Sequence, residues 1–221
     1  MAGTVNHHSE PPAPRIQART RLARRAVVDA ARTLFLEHGY TSTTIAAISE
    51  LADVPPATVY RLFASKIGIL KALLDTSIAG DDKPVAVSER PQVAALHDLT
   101  DPRQLIAGFA AVTTSINTRS HHAYRVLTSA ADSDPEAANL LAGLHQQRDE
   151  GQRQLTRGLK RLGSLKDGLS PRAAHDLVHA LMSPELYRLL VVDRNWSTQY
   201  YQEWLTELLT SQLTDQMSRN R

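Results

Sequence analysis

The amino-acid sequence predicts an all-α fold of about nine helices, because apolar residues recur every three to four positions along most of the chain. Three dipeptides combine a helix-capping side chain with a proline suited to the first helical turn: Asp101-Pro102, Asp134-Pro135 and Ser170-Pro171. Apolar and polar residues do not alternate over more than a few positions, so strands are not expected.

The composition is that of a soluble globular protein, with 221 residues of which 42% are hydrophobic and 22% charged. No apolar run approaches the roughly 18 residues of a membrane span, and the N-terminus does not resemble a secretory signal. We therefore expect no membrane partner and a cytoplasmic location. The absence of cysteine excludes disulfides, thiolate zinc sites and cysteine nucleophiles.

Residues 1–18 are predicted to form a disordered basic arm. Residues 1–14 contain three prolines and no apolar periodicity, and we expect order to begin near Thr20. Five arginines and no acidic residue lie between Arg15 and Arg25. Such a segment either contacts phosphate groups or is a solvated tail.

Two helices are predicted next. Apolar residues from Ala23 to Phe35 have helical spacing, and Gly39 is a natural stop just beyond them. The hydroxyl side chains of residues 42–44 then offer caps for a short helix over residues 45–52.

A tight break separates this second helix from a third. Residues 53–56, Asp-Val-Pro-Pro, interrupt the helix, and the second proline suits the first turn of a helix extending to Phe63. Ser65 is expected to cap a fourth helix. Two short helices joined by about four residues form the helix-turn-helix arrangement, whose second helix can enter the major groove of DNA.

Beyond a loop at residues 80–92, the remaining chain is predicted to be helical. Pro184 is expected to kink one of these helices. The expected helices cover residues 102–118, 122–131, 135–162, 171–193 and, after a cap at Ser197, residues up to about 216.

Residues 30–74 resemble the DNA-binding domain of the TetR (tetracycline-repressor-like) family of transcriptional regulators. The resemblance extends over roughly residues 20–75 and is carried by residues in the family's order and spacing. They are Ala30-Ala31, Leu34-Phe35, Gly39-Tyr40, Thr43-Thr44, Ile48, Ala52, Val54, Thr58-Val59-Tyr60, Phe63 and Lys66.

The chain departs from the family pattern at three positions. Asp53-Val54-Pro55 stands where the turn usually has Gly-Val-Ser, Ala57 replaces a common glycine, and Ile67 replaces an acidic residue. Either the turn does not need a positive φ at residue 53, or Asp53 tolerates one.

The resemblance implies a helix-turn-helix DNA-binding domain over residues 19–66 and a helical ligand-binding and dimerisation domain over residues 67–221. It implies a homodimeric repressor that binds a palindromic double-stranded DNA operator and is released by a small apolar or aromatic effector. The alternatives are a regulator that responds to a protein partner, or an activator.

The resemblance also implies which residues contact DNA. Arg61 is the candidate for reading a guanine edge, although a purely structural role is the alternative. Val59, Leu62 and Phe63 are expected in the core. The remaining candidates are Arg21 and Arg25 in the arm, Thr43, Thr44 and Lys66 as phosphate contacts, and Pro56, Ala57, Thr58 and Tyr60 on the groove-facing surface.

The candidate effector contacts are apolar or aromatic residues of the C-terminal helices: Phe109, Val112, Ile116, Tyr124, Leu127, Leu144 and Tyr187. The apolar stripe of the last helix and its predecessor predicts either a four-helix dimer interface or packing within one subunit. The candidate dimerisation residues are Leu181, Leu189, Tyr201, Trp204, Leu205 and Leu208.

An enzyme and a metalloprotein are the competing classes. The sequence has no glycine-rich phosphate loop, no HExxH motif and no nucleophile elbow, so we expect neither catalysis nor a cofactor. His175 and His179 share a helix face, and Glu185 is a conceivable third ligand. No carboxylate joins the histidines at helical spacing upstream, so no metal site is expected.

Overall fold

The computed structural model describes residues 14–81 and 86–215, with no account of the side chains of residues 14–16. The described residues form helices, turns and loops without a strand, so the all-α prediction is confirmed. They divide into two compact units between Leu70 and Lys71. Residues 1–13 of the arm, which is predicted to cover residues 1–18, lie outside the described part of the chain. Residues 14–18 are helical, so the disorder predicted for them is wrong.

The first unit begins with the long helix α1, which starts earlier than the expected Thr20 and is interrupted at Gly39, where φ is 77°. Gly39 therefore ends the regular part of the helix, as predicted. The helices that begin in this unit are α1 (Pro14–Ser42), α2 (Ile45–Ala52), α3 (Pro56–Phe63) and α4 (Lys66–Ala79), of which α4 contains the division between the units.

Local capping fixes where α2 and α4 begin. The hydroxyl of Thr44 accepts a hydrogen bond from the backbone N–H of Ala47 at 3.1 Å. The hydroxyl of Ser65 accepts one from the backbone N–H of Gly68 at 3.3 Å. Both predicted caps are present, because a hydroxyl placed just before a helix satisfies an amide that lacks an intrahelical partner.

The second unit is built around two long antiparallel helices. Its helices after α4 are α5 (Pro91–Ala94), α6 (Pro102–Ala131), α7 (Pro135–Arg161), α8 (Pro171–Leu181), α9 (Pro184–Tyr187) and α10 (Thr198–Leu213). The predicted caps are observed, since Asp101, Asp134, Ser170 and Ser197 each accept a backbone N–H at the start of their helix.

The prediction of separate helices over 102–118 and 122–131 is wrong, because α6 is continuous through both. The intervening residues include no proline or glycine. The hydroxyl of Ser120 donates to the carbonyl of Ile116 one turn earlier, so this polar side chain is accommodated inside the helix.

The prediction of one kinked helix over 171–193 is also wrong. α8 ends at Leu181, and Ser183 caps a new helix by accepting the backbone N–H of Leu186 at 3.1 Å. Pro184 is the first residue of α9 and therefore breaks no internal hydrogen bond. A π-helical turn, Arg188–Val192, follows.

The core of the second unit consists of apolar side chains from α6, α7, α8, α9 and α10. Ile106, Leu155, Val178 and Leu209 are fully buried there. α6 packs against both α7 and α10, which places it at the centre of the unit.

Candidate DNA-binding interface and effector unit

Asp53 adopts the left-handed backbone conformation between α2 and α3, with φ 51° and ψ 43°. Its N–H donates to the carbonyl of Glu50, and the N–H of Val54 donates to the carbonyl of Ser49. The buried hydroxyl of Ser49 donates back to the carbonyl of Val54 at 2.5 Å. Of the two interpretations of the turn, the structure supports the second, in which an aspartate tolerates the positive φ that glycine usually provides.

Helix α3 presents an exposed face next to this turn. Pro55 has an extended conformation, and its carbonyl accepts the N–H groups of Thr58 and Val59. Val59 and Phe63 are buried as predicted, and Leu62 is half-buried. The structure brings the predicted groove-facing residues together on the outside of one helix: Pro56, Ala57, Tyr60 and Arg61 are exposed, and Thr58 is half-buried.

Lys66 is directed into the first unit. Its ammonium donates to the carbonyl of Tyr40 at 2.7 Å and to that of Thr43 at 2.9 Å, with a longer contact of 3.4 Å to Thr41. It also lies 4.3 Å from the centre of the Tyr40 ring. The phosphate contact expected of Lys66 is therefore not supported, because its ammonium already joins the end of α1 to the beginnings of α2 and α4.

Thr43 is likewise an internal residue, with 3% of its surface exposed. Its hydroxyl lies 2.7 Å from the carbonyl of Gly39 and 3.2 Å from that of Leu34. This placement does not support a phosphate contact by its side chain. Thr44 is exposed at the N-terminus of α2, where a helix favours an anion.

The arginines of α1 have two environments. Arg21 is exposed, and Arg25 is exposed beside Asp29 at 3.9 Å. Arg24, by contrast, donates to the carbonyl of Leu62 at 3.0 Å and lies 4.7 Å from the centre of the Phe63 ring. Arg24 thus fixes the end of α3 against α1.

The corner between α3 and α4 is a tight turn at Ala64, whose φ is 62° and ψ −41°. The N–H of Ser65 donates to the carbonyl of Phe63 at 2.7 Å, which is the bond of a γ-turn. A β-carbon on Gly68 would lie 2.0 Å from that same carbonyl oxygen. Sequence reasoning missed this glycine, whose position inside a helix was the available signal.

The candidate effector contacts lie in the second unit but are mostly core residues. Phe109, Tyr124, Leu127 and Tyr187 are buried. The other three, Val112, Ile116 and Leu144, are half-buried.

Tyr187 has polar and aromatic neighbours. Its hydroxyl donates to the hydroxyl of Thr118 at 3.1 Å. Its ring centre lies 5.2 Å from that of Tyr201 and 5.7 Å from that of His121. This placement leaves Tyr187 in contact with α6 and α10 at once.

A polar network that sequence reasoning missed connects α6, α7, α8 and α9. The hydroxyl of Tyr124 donates to the Glu185 carboxylate at 2.7 Å and lies 2.9 Å from Nε2 of His145. Because the single hydroxyl proton goes to the carboxylate, Nε2 of His145 must be the donor in the second bond. Nη1 of Arg148 lies 3.7 Å from Glu185.

Arg148 extends this network to α8. Its Nη2 donates to Nε2 of His179 at 2.8 Å, and Nδ1 of His179 lies 3.0 Å from the amide oxygen of Gln152. These two bonds require His179 to be neutral with its proton on Nδ1. Consistent with this, burial together with the Arg148 charge lowers the pKa of His179.

The pKa values of the other members follow from burial and hydrogen bonding. Burial, assisted by the bond to Glu185, raises the pKa of Tyr124. Burial alone would raise the pKa of Glu185, but the Tyr124 hydrogen bond and the Arg148 charge outweigh it and lower that pKa. Burial also lowers the pKa of His145. At neutral pH the network therefore contains one carboxylate, one guanidinium and neutral histidines.

The two histidines considered as metal ligands have other partners. Nε2 of His175 bonds to Asp149 at 2.6 Å, and His179 bonds to Arg148 and Gln152. Among the described residues, no group of three or more His, Asp or Glu side chains is placed to hold a metal ion.

The candidate dimerisation residues separate into buried and exposed sets. Tyr201 and Leu205 are fully buried in the core of the unit and are not available to a partner. Leu181, Trp204 and Leu208 are half-buried, whereas Leu189 is 47% exposed. Sequence reasoning missed two further exposed apolar residues nearby, Val192 and Tyr200.

Arg119 connects α6 to the C-terminal end of α4. Its guanidinium donates to the carbonyls of Ser77 at 3.1 Å and Ile78 at 2.9 Å. The preceding residue, Thr118, bonds to Tyr187 of α9. Consecutive residues of α6 therefore contact α9 and α4.

The folded arrangement in the first unit is that of a helix-turn-helix DNA-binding domain. Residues 27–73 match the family described as bacterial regulatory proteins, tetR family. The predicted resemblance to the TetR family is thereby confirmed over these residues, and that family is one of DNA-binding transcriptional regulators.

A curated relative and two solved structures are similar to the chain. An uncharacterised HTH-type transcriptional regulator of Bacillus subtilis (strain 168), YvkB, is 42% identical over 50 residues. That match spans 23% of this chain and about a quarter, 26%, of the relative.

The solved structures match nearly the full length. NalD, the secondary repressor of the MexAB-OprM multidrug efflux pump in Pseudomonas aeruginosa, is 23% identical with a TM-score of 0.67, covering 90% of this chain and 100% of that one. FadR from Bacillus subtilis, solved with stearoyl-CoA, is 18% identical with a TM-score of 0.67, covering 85% and 98%. These likenesses show the fold. Within the described ranges, no helix is both long and apolar enough to cross a membrane.

Proposed function

We propose that the protein is a ligand-responsive repressor that binds a palindromic DNA operator as a homodimer in the cytoplasm. The observation that carries the proposal is the exposed face of α3, which includes Tyr60 and Arg61. The Asp53 turn and the contacts of Arg24 and Lys66 hold this face in a fixed orientation. A recognition helix needs this combination of a free surface and a rigid base to read the major groove.

The DNA contacts fall into two groups. Arg61 and Tyr60 project from α3 and reach base edges, with Arg61 suited to a bidentate contact with guanine. Thr44, at the N-terminus of α2, contacts a backbone phosphate, and Arg21 and Arg25 add salt-dependent affinity. Pro56, Ala57 and Thr58 complete the groove-facing surface.

The second unit binds the effector among α6, α7, α8 and α9. An effector that moves α9 acts on Thr118 through Tyr187, and the next residue, Arg119, passes the displacement to the end of α4. Release of DNA requires the effector to prefer the conformation that does not bind DNA. That a protein of similar fold was solved with stearoyl-CoA supports a ligand-binding role for this unit.

The homodimer forms through the exposed apolar residues Leu189, Val192 and Tyr200, together with the half-buried Trp204 and Leu208. Two subunits so joined hold their α3 helices about 34–36 Å apart, one turn of DNA. Leu189→Arg is expected to yield a monomer in analytical ultracentrifugation while the helical circular dichroism spectrum is retained. A dimer that persists in this variant contradicts the assigned interface.

The DNA-binding proposal is tested by fluorescence anisotropy with DNA from upstream of the protein's own coding sequence, at two salt concentrations. Arg61→Ala is expected to lose sequence-specific affinity by about 1–3 kcal/mol. The matched control is Arg32→Ala, which removes an exposed arginine of α1 that pairs with Asp29 at 3.5 Å. Binding that survives Arg61→Ala unchanged contradicts the assignment of α3 as the recognition helix.

A further inference from the structure

Arg148 is an incompletely bonded cation inside the second unit. Among the described residues its guanidinium has one hydrogen bond, from Nη2 to His179, and Nη1 forms an ion pair with Glu185 at 3.7 Å, which is beyond hydrogen-bonding distance. Nε and Nη1 are both buried and find no hydrogen-bond partner among the described residues. A buried guanidinium with open donors is unfavourable unless an acceptor occupies them.

Other buried polar atoms of α6 and α7 also lack hydrogen-bond partners. They are Oγ1 of Thr114 and Nδ2 of Asn117 on α6, and Oγ1 of Thr156 on α7; within the described part of the chain none has a hydrogen bond. Both side chains of α6 are at least nine-tenths buried.

The register of the two helices places Thr114 and Asn117 on the part of α6 that runs beside Arg148, whereas Thr156 lies about two turns further along α7. α6 and α7 meet at Leu105 beside Gly158 and again at the Tyr124–His145 hydrogen bond. Thr114 and Asn117 lie between these points on α6, as Arg148 and Thr156 do on α7. Arg148 and the two open groups of α6 therefore belong to one stretch of the α6–α7 pair.

The open groups of this stretch are mainly hydrogen-bond donors. A guanidinium and a side-chain NH₂ only donate, and a hydroxyl can donate. The acidic side chains nearby do not fill these donors: Glu185 accepts from Tyr124 through Oε1, and its Oε2 is 3.7 Å from Nη1 of Arg148, too far for a hydrogen bond. Asp149 accepts from His175 and Arg153. The complementary ligand carries acceptors and negative charge.

We propose that the effector is an amphipathic organic acid, whose carboxylate binds the guanidinium of Arg148 and whose apolar part packs among the side chains of α6 and Tyr187. The inference rests on the proposed function, which makes this unit the effector site. It adds a charged head group to the apolar or aromatic effector expected from the sequence. Arg148 is suited to the task because its planar fork matches a carboxylate in geometry and charge.

The test compares ligands that share the same alkyl chain or aromatic ring and differ only in the head group. Octanoate, octan-1-ol and octylamine are titrated into the full-length protein by calorimetry and thermal denaturation, and benzoate, benzyl alcohol and benzylamine provide an aromatic series. We expect the carboxylate of at least one series to bind and raise Tm, while the alcohol and the amine do not. Equal binding of the alcohol or amine, or failure of both carboxylates, overturns the proposal.

The variant Arg148→Gln is expected to weaken carboxylate binding roughly 10- to 100-fold, the loss of a charge-assisted hydrogen bond. Arg153→Gln is the matched control, because Arg153 lies on the same helix but pairs with Asp149 at 2.7 Å. A measurement on the wild-type protein keeps the test informative if the Arg148→Gln variant fails to fold. The Nε–H resonance of Arg148 is expected to shift on addition of octanoate or benzoate, and an unmoved resonance contradicts the inference.

The binding measurements need no DNA, so comparing them with operator affinity measured in the presence of the same compounds separates the two proposals. Carboxylate binding without any change in operator affinity supports the assigned ligand class and contradicts the ligand-responsive repressor. Loss of operator affinity on adding an amine or alcohol, with no effect of carboxylates, supports the repressor and contradicts the ligand class.

Discussion

Replacing Lys66 with methionine separates a structural role for this residue from a phosphate-binding role. Methionine keeps the apolar stem and removes only the ammonium. The lost contacts are the hydrogen bonds to the carbonyls of Tyr40 and Thr43 and the position over the Tyr40 ring. We therefore expect Lys66→Met to destabilise the first unit without removing a DNA phosphate contact.

The expected loss in the free energy of unfolding is about 2–4 kcal/mol, because two short charge-assisted hydrogen bonds and one cation–π contact are removed. Water that hydrogen-bonds to the freed carbonyls offsets part of this loss. The 3.4 Å contact to Thr41 contributes little at that length. The matched control is Lys71→Met on the same helix. Lys71 forms an exposed pair with Asp75, so its loss is expected to change stability by about 0.5 kcal/mol or less.

Two assays measure the effect. Hydrogen–deuterium exchange of the amides of α2 and α3 reports the opening free energy of the first unit by itself. Operator affinity measured over a range of salt concentrations reports the number of phosphate contacts, because each contributes about 0.9 to the slope of log K against log salt. We expect faster exchange and an unchanged slope for Lys66→Met.

The opposite pattern refutes the structural role. If exchange of α2 and α3 stays at the wild-type rate while the salt slope falls by about one contact, then Lys66 binds phosphate. In that case the hydrogen bonds from Lys66 to the carbonyls at the end of α1 make no measurable contribution to the stability of the first unit.

Three further predictions concern backbone geometry and pH. Gly68→Ala is expected to destabilise the protein by about 1–3 kcal/mol, because the new β-carbon meets the carbonyl of Phe63. Gly143→Ala is the control: a β-carbon there has nothing within 4 Å, so we expect it to stabilise the protein by about 0.5–1 kcal/mol. Urea denaturation measures both variants. Asp53→Val is expected to lose about 1–2 kcal/mol in the same assay, since a β-branched residue disfavours a φ of 51°, and an unchanged midpoint contradicts this account of the turn. Burial lowers the pKa of His179 in the folded protein below the ordinary 6.5. The neutral side chain therefore contributes its full stabilisation of the folded state above pH 6.5, and this contribution is lost as the pH falls through the pKa of the folded state. Urea midpoints between about pH 7.5 and pH 5 are expected to fall less steeply for His179→Asn than for the wild type, and parallel curves argue against the assignment.

The features that the sequence predicted are those controlled by neighbouring residues. Thr44 and Ser65 cap their helices because the amides they satisfy lie three positions away. Ser183-Pro184 pairs a capping side chain with a proline, as do the three dipeptides identified as helix starts, and it also begins a helix. Interpreting its proline as a kink overlooked the capping hydroxyl beside it.

The features that the sequence did not predict depend on distant residues. Lys66 at a helix N-terminus has the chemistry of a phosphate ligand, and only the approach of α1 carbonyls, more than twenty positions earlier, assigns its ammonium elsewhere. The polar network connects four helices, and within it Tyr124 bonds to Glu185 across 61 positions of the sequence. Neither residue has a local pattern that identifies its partner.

Lys66 and Arg24 bind main-chain oxygens, which every amino acid possesses. Substitutions at the residues that supply those oxygens leave the acceptors in place. The outward side chains of α3 take no part in these contacts, so they are free to diverge. A domain built in this way can acquire a new operator preference by exchanging residues such as Ala57 and Arg61, without a compensating change in its interior. This separation of structural from recognition residues makes the first unit suitable for retargeting by selection or design.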